Sequence, residues 1–133
     1  MNAVFADAFY FVARLNRHDQ HHERALAFSR DLRAHLLTTD WVLMEVADAL
    51  AESEARARIR EFIVHLRQSP ACEVVGASRD LLDRGLELYH QHADKEWTLT
   101  DCTSFVVMRE REITKALTAD HHFEQAGFVA LLK

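Results

Sequence analysis

Short apolar runs recur along this chain, separated by longer stretches in which apolar residues return every three or four positions. The short runs predict strands. They fall at Ala3–Ala6, at His35–Thr39, at 73–76, across 113–119 and at 128–132. The longer stretches predict helices. One follows the first strand at once, from Ala8 to about Leu15. A second, over 20–33, is capped by Asp19 and carries Ala25, Phe28 and Leu32 on one face. A third, capped by Thr39 or Asp40, has the stripe Val42, Leu43, Val46, Ala47 and Leu50, with Glu45 off that stripe. A fourth over 55–68 turns Ile59, Phe62, Ile63 and Leu66 inward, leaves Arg56, Arg58 and Arg60 solvated, and ends at Ser69-Pro70. Ser78 caps a fifth, with Leu81, Leu82, Leu86, Leu88 and Tyr89, and a polar loop covers 90–96. Thr100 caps the last, over 101–111, whose core residues are Phe105, Val106 and Met108.

Strands that alternate with helices predict an α/β fold: a central parallel sheet of four to five strands with helices on both faces, a three-layer α/β/α sandwich. In such sheets, sites form beyond the carboxyl ends of the strands, where strand order reverses. Asp7 and Asp120 are each the first residue past a predicted strand. A sheet that sets strands one and four side by side brings them together.

Composition narrows this picture. A chain of 133 residues, 49% apolar and 28% charged, reads as one globular domain over 1–133, large enough to need no disulfide or zinc staple. A net charge of -5 gives no basic footprint for nucleic acid, although acids gathered in one site would mask a local basic rim. Cys72 and Cys102 form no disulfide framework, which suits a reduced compartment. No apolar run reaches membrane-spanning length and no leader pattern opens the chain, so no membrane association and a cytoplasmic location are expected.

The acids carry the chemistry. Asp7, Asp101 and Asp120 all stand at predicted helix starts, where a carboxylate can simply cap free N–H groups. Glu45 can be a solvated helix residue. Taken together, carboxylates that converge repel one another unless a cation lies between them. Hard ions such as Mg²⁺ or Mn²⁺ prefer such oxygens, and a pair of them about 4 Å apart can activate water against a phosphodiester. Asp48, one turn after Glu45, reads as exposed. His18, His21 and His22 have ligand-like spacing, but no cysteine or acid completes a zinc set, and a polar helix start explains them. His121 and His122 read as cover for the strand-to-helix turn, with a contact to substrate phosphate as the second possibility.

Several stretches resemble PIN-domain proteins, and are similar to the VapC-type ribonuclease toxins of bacterial toxin–antitoxin pairs. They are Val4-Phe5-Ala6-Asp7-Ala8-Phe9, the segment 16–25, Thr38-Thr39-Asp40-Trp41-Val42-Leu43-Met44-Glu45-Val46, the segment 97–105, and 116–123 with its continuation to Phe128. By that resemblance Asp7, Glu45, Asp101 and Asp120 are the catalytic, metal-binding acids, with Ser104 and Thr39 in support. It implies a PIN-like sandwich, Mg²⁺- or Mn²⁺-dependent cleavage of RNA, a cognate antitoxin protein and a homodimer. Arg14 and Arg17, just past the Asp7 helix, are candidate contacts to RNA phosphate. Phe9, Tyr10, Phe11, Phe28 and Trp41 also suggest more aromatic surface than one small sheet covers. The chain departs from the family pattern at two places. Ala8-Phe9 replaces the hydroxyl residues common after the first acid, and Glu112 stands where Gly usually ends a helix. The rival readings are a non-catalytic RNA-binding or regulatory module, which loss of an acid would favour, and a housekeeping ribonuclease without an antitoxin. A metal-dependent phosphatase would need Asp-x-Asp after the first strand, and Phe9 stands at the second Asp position.

Overall fold

The computed structural model describes residues 2–133. In chain order the elements are β1 (Ala3–Ala6), α1 (Ala8–Leu15), α2 (His22–Asp31), β2 (His35–Thr39), α3 (Asp40–Ala49), a 3₁₀ turn (Glu54–Arg58), α4 (Ile59–Gln68), β3 (Cys72–Val75), α5 (Arg79–Gln91), α6 (Leu99–Glu110), β4 (Lys115–Leu117), α7 (His121–Gln125) and β5 (Val129–Ala130). The five strands form one parallel sheet in the order β3-β2-β1-β4-β5. The chain builds outward from β1 through β2 to β3, then returns to lay β4 on the other side of β1. The reversal therefore lies between β1 and β4, which puts the ends of those two strands at the switch point.

Val4, Phe5 and Ala6 of β1 are buried on both faces, which fixes this strand at the centre. Helix α1 buries Tyr10 and Phe11 completely, and α6 buries Phe105 and Met108. The Phe105 ring meets Trp97 and Phe123 edge-on, at 5.1 and 5.0 Å between centroids. Phe9, Phe28 and Trp41 are partly buried and pack against the same core. The aromatic surplus expected from the sequence is thus absorbed by the fold itself. The large apolar side chains left exposed are instead Met44, Val64, Leu86, Tyr89 and Val129. No helix among the described residues is long and apolar enough to cross a membrane.

Several boundaries move for identifiable reasons. Helix α6 starts at Leu99, and its cap is Thr98, not Thr100. Thr98 Oγ1 accepts the Asp101 N–H while Asp101 Oδ2 accepts the Thr98 N–H, a reciprocal capping box that places Asp101 in the first turn. Asp19 accepts the His21 N–H, so it closes a turn and α2 begins only at His22. The 55–68 stretch divides, because Ser53 caps a 3₁₀ turn ahead of α4. Helix α5 runs on through Gln91 into the expected loop, and the third strand sits one residue earlier, at Cys72–Val75. Strands β4 and β5 shrink to three and two residues. Asp120 therefore stands three residues beyond Leu117, not directly after a strand.

Two close fits secure α6. Gly85 of α5 lies against its first turns: a Cβ there would sit 2.7 Å from Thr103 Cγ2 and 3.3 Å from the Thr103 nitrogen. The other end closes on Glu112, at φ +56, with the Ile113 N–H donating to Met108 C=O and the Glu112 N–H to Arg109 C=O. This is a Schellman closure built on a residue whose Cβ disfavours it. Glu112→Gly should therefore raise stability by roughly 0.5–1 kcal/mol, read as a few degrees of Tm by calorimetry. Gly85→Ala should lower Tm, although alanine favours helix by about 1 kcal/mol. Thr103 cannot yield, because it is buried and its hydroxyl donates to Thr100 C=O at 2.7 Å.

Candidate functional site

Asp7 leaves β1 and opens α1, yet its carboxylate makes no capping bond to the helix. It turns across the strand reversal instead, where Oδ2 accepts the Thr118 hydroxyl at 2.9 Å. The same Thr118 oxygen accepts the Asp120 N–H at 3.1 Å. One buried hydroxyl therefore ties the end of β1 to the segment after β4. On the other side Thr38 donates to Ala6 C=O at 2.8 Å, which closes β2 onto β1. Thr39 is fully buried and accepts the Val42 N–H, capping α3 and so setting the helix that carries Glu45.

Asp101 is buried and held twice through one oxygen. Its Oδ2 accepts the Thr98 N–H at 3.0 Å and lies 3.0 Å from His122 Nδ1. Asp120, half-buried at the start of α7, accepts the His122 N–H through Oδ1 at 2.9 Å. Asp101 Oδ1 and Asp120 Oδ2 take no hydrogen bond among the described residues. One turn after Asp101, Ser104 Oγ is buried without any partner among the described residues, an unusual state for a hydroxyl.

Electrostatics join these acids into one group. Burial raises the Asp7 carboxyl from its ordinary 3.8 to about 7, opposed by the Thr118 hydroxyl and more weakly by the Ala8 N–H, and reinforced by the charges of Glu45 and Asp101. Burial also raises Glu45, which feels Asp101, Asp120 and then Asp48. Asp101 is raised by burial, against the stabilising Thr98 N–H, and by Asp120. Asp48 itself is exposed, as expected. A hard divalent cation fits this set: the donors are all oxygen, Asp101 Oδ1, Asp120 Oδ2, both Glu45 oxygens and the Ser104 hydroxyl lack partners among the described residues, and the negative charges oppose one another without it.

Other candidates lie elsewhere. Arg14 and Arg17 sit toward the far end of α1 from Asp7, Arg14 over the Tyr10 ring at 5.5 Å and Arg17 paired with Glu54 at 2.7 Å. The three upstream histidines do not converge. His18 approaches Glu54, His21 packs on Phe9, and His22 bonds to Ala13 C=O. Among the described residues, the group whose ligand atoms lie within 4.8 Å of one another is Asp120, His121 and His122. Thr98, Thr118 and His122 contact these acids without any motif that points to them. Of the three only His122 carries a signal in the sequence, its place two residues after Asp120, which predicts cover for the turn.

Residues 4–129 match the family model described as PIN domain. Over 126 residues the chain is 29% identical to the 23S rRNA-specific endonuclease VapC20 of Mycobacterium tuberculosis, covering 95% of each chain. The crystal structure of VapC20, titled a sarcin–ricin-loop-cleaving toxin, superposes with a TM-score of 0.86 at 27% identity, over 96% of this chain and 98% of that one. FitAcB from Neisseria gonorrhoeae shares the fold, with a TM-score of 0.65 at 16% identity over 96% and 94% of the two chains.

The raised Asp7 carboxyl sets a sign for the pH dependence. The folded state binds its proton more tightly than the unfolded chain, so its contribution to stability is full below about 3.8 and is lost as pH rises to about 7. In chelator, Asp7→Asn should match wild-type Tm near pH 4 and exceed it increasingly up to pH 7, then hold a constant gain. Thermal melts across that range check this. A gain that shrinks with pH would refute it.

Proposed function

The chain belongs to the PIN-domain family, and from that premise we propose that it is a divalent-cation-dependent endoribonuclease acting as the toxin of a type II toxin–antitoxin pair. The observation that carries this reading is the convergence of Asp7, Glu45 and Asp101 with Asp120 at the strand reversal, where each shifted carboxyl is raised by burial and by the others' charge. Asp7, Glu45, Asp101 and Asp120 would hold Mg²⁺ or Mn²⁺, with Ser104 and Thr39 in support. Such an ion, when bound, supplies Lewis-acid activation of water and offsets charge on the phosphodiester. The chain's own part is orientation. Thr118 fixes Asp7 on the buried side, the capping box fixes Asp101, and the half-buried Glu45 and Asp120 form the side open to substrate. An RNA phosphate meets only repulsion from these acids unless their charge is offset.

The similarity to VapC20 makes structured ribosomal RNA the first substrate to test. Arg14 and Arg17 would meet phosphates of a long substrate away from the cut. A cognate antitoxin would set an Arg or Lys among the acids and lay an amphipathic segment beside them. The reading places the protein in the cytoplasm as a homodimer. Its support is no longer excess aromatic surface but family membership and the exposed pair Leu86 and Tyr89, one turn apart on α5.

The test is cleavage of total bacterial RNA by the purified chain, with end mapping. Wild type should cut with Mn²⁺ and stop in chelator. Asp7→Asn, Asp101→Asn and Asp120→Asn should each lose about 100-fold or more, while Asp48→Asn keeps most activity. In cells, expression should arrest growth, and Asp7→Asn or the neighbouring antitoxin gene should relieve it. Undiminished cleavage in chelator would overturn the proposal.

A further inference from the structure

His122 is the residue in this site that the acids alone do not explain. Its side chain is 15% exposed, and its Nδ1 lies 3.0 Å from Asp101 Oδ2 and 3.4 Å from Asp120 Oδ1. Its own backbone N–H donates to that same Asp120 oxygen at 2.9 Å. The residue thus grips two acids brought from different elements, one at the head of α6 and one at the head of α7. In each case it grips an oxygen already engaged by the backbone. Asp101 Oδ2 also accepts the Thr98 N–H, and Asp120 Oδ1 accepts the His122 N–H. The opposite oxygens, Asp101 Oδ1 and Asp120 Oδ2, are the ones left without a donor among the described residues.

We infer that His122 is a positioning residue: its Nδ1–H donates to Asp101 and its backbone N–H donates to Asp120, so that one residue joins the two acids and turns their free oxygens toward a common cation. The inference rests on the cation-dependent reading above. A carboxylate rotates about its terminal bond with little resistance, so two repelling carboxylates, each held by a single backbone N–H, can still turn apart. The imidazole donor, bonded to Asp101 and 3.4 Å from Asp120, limits that freedom before the ion arrives. Residues that hold a metal's ligands in this way contribute about 10–100-fold in metal affinity. Since carboxylates accept only, Nδ1 carries a proton in this contact. Ligation of the cation by Nδ1 itself is the competing role for the same ring. It would require Nδ1 to be unprotonated, and it would suit a softer ion than the all-oxygen set does.

Mn²⁺ binding measured by titration calorimetry separates these roles. His122→Ala should bind Mn²⁺ about 10–100-fold more weakly and lower kcat for RNA, with KM little changed. His122→Asn places an amide N–H close to the position of Nδ1 and cannot supply an imidazole ligand. It should restore Mn²⁺ affinity to near wild type, whereas His122→Gln, whose amide reaches the Nε2 position, should not. An alanine variant that binds Mn²⁺ as wild type does would overturn the inference. An asparagine variant as weak as alanine would overturn it in favour of the ligand role. Nitrogen-15 NMR of the metal-free wild-type chain decides the bridge without any variant: the Nδ1–H tautomer is expected, and an Nε2–H tautomer refutes it. Wild-type protein that binds no Mn²⁺ would sink the cation reading itself, a failure distinct from a His122 variant that binds normally.

Discussion

The structure turns on keeping like-charged carboxylates close together in a partly dry place. Left alone, such groups separate or take up protons, and the raised Asp7, Glu45 and Asp101 carboxyls record that tension. What holds them is a set of donors aimed at particular oxygens: the Thr118 hydroxyl on Asp7, the Thr98 N–H and His122 on Asp101, and the His122 N–H on Asp120. These donors engage one oxygen of a carboxylate. The cation reading follows from what they leave, which is unsatisfied oxygen and uncompensated charge at one point.

The scaffold can be read as the means of keeping those donors in place. β1 is buried on both faces and pinned by Thr38 on one side and by Thr118 on the other. Helix α6 is fixed at its head by a capping box and along its length by the missing side chain of Gly85, which lets α5 approach Thr103. The strained closure at Glu112 is then tolerated, because the turn it makes delivers the chain into β4 and on to Thr118 and Asp120. Stability and function share these elements. A shift in how α6 sits would move Asp101 relative to Asp7 before it unfolded anything.

Asp101 shows that a capping role and a functional role need not exclude each other. Its carboxylate closes the Thr98 box through Oδ2 and keeps Oδ1 for something else. Asp120 does the same at α7, capping through Oδ1. Asp7 differs: it stands in the capping position and makes no cap bond, so its burial has no purely local explanation. A carboxylate that leaves the usual capping bond unmade and faces other acids is the observation on which the proposed cation site most depends.

Much of this was legible in the sequence by itself. Periodicity set the order of strands and helices, hence a parallel sheet, because a strand's period of two and a helix's of 3.6 are local properties that side chains announce directly. The same periodicity put Asp7 and Glu45 on the elements where they stand, and motif resemblance singled out all four acids. Tertiary structure alone decided the rest. That β4 lies beside β1, and not at the far edge, brings Thr118 to Asp7 across 111 residues. No local pattern encodes such a contact, since a threonine at a strand end looks the same whatever its carboxylate partner. His122 is similar: its spacing from Asp120 was visible, but its bond to Asp101 exists only after α6 and α7 have packed together. The aromatic residues mark the opposite limit. Hydrophobic pattern shows which side chains seek burial, but only the packed core shows that this one chain has room for them.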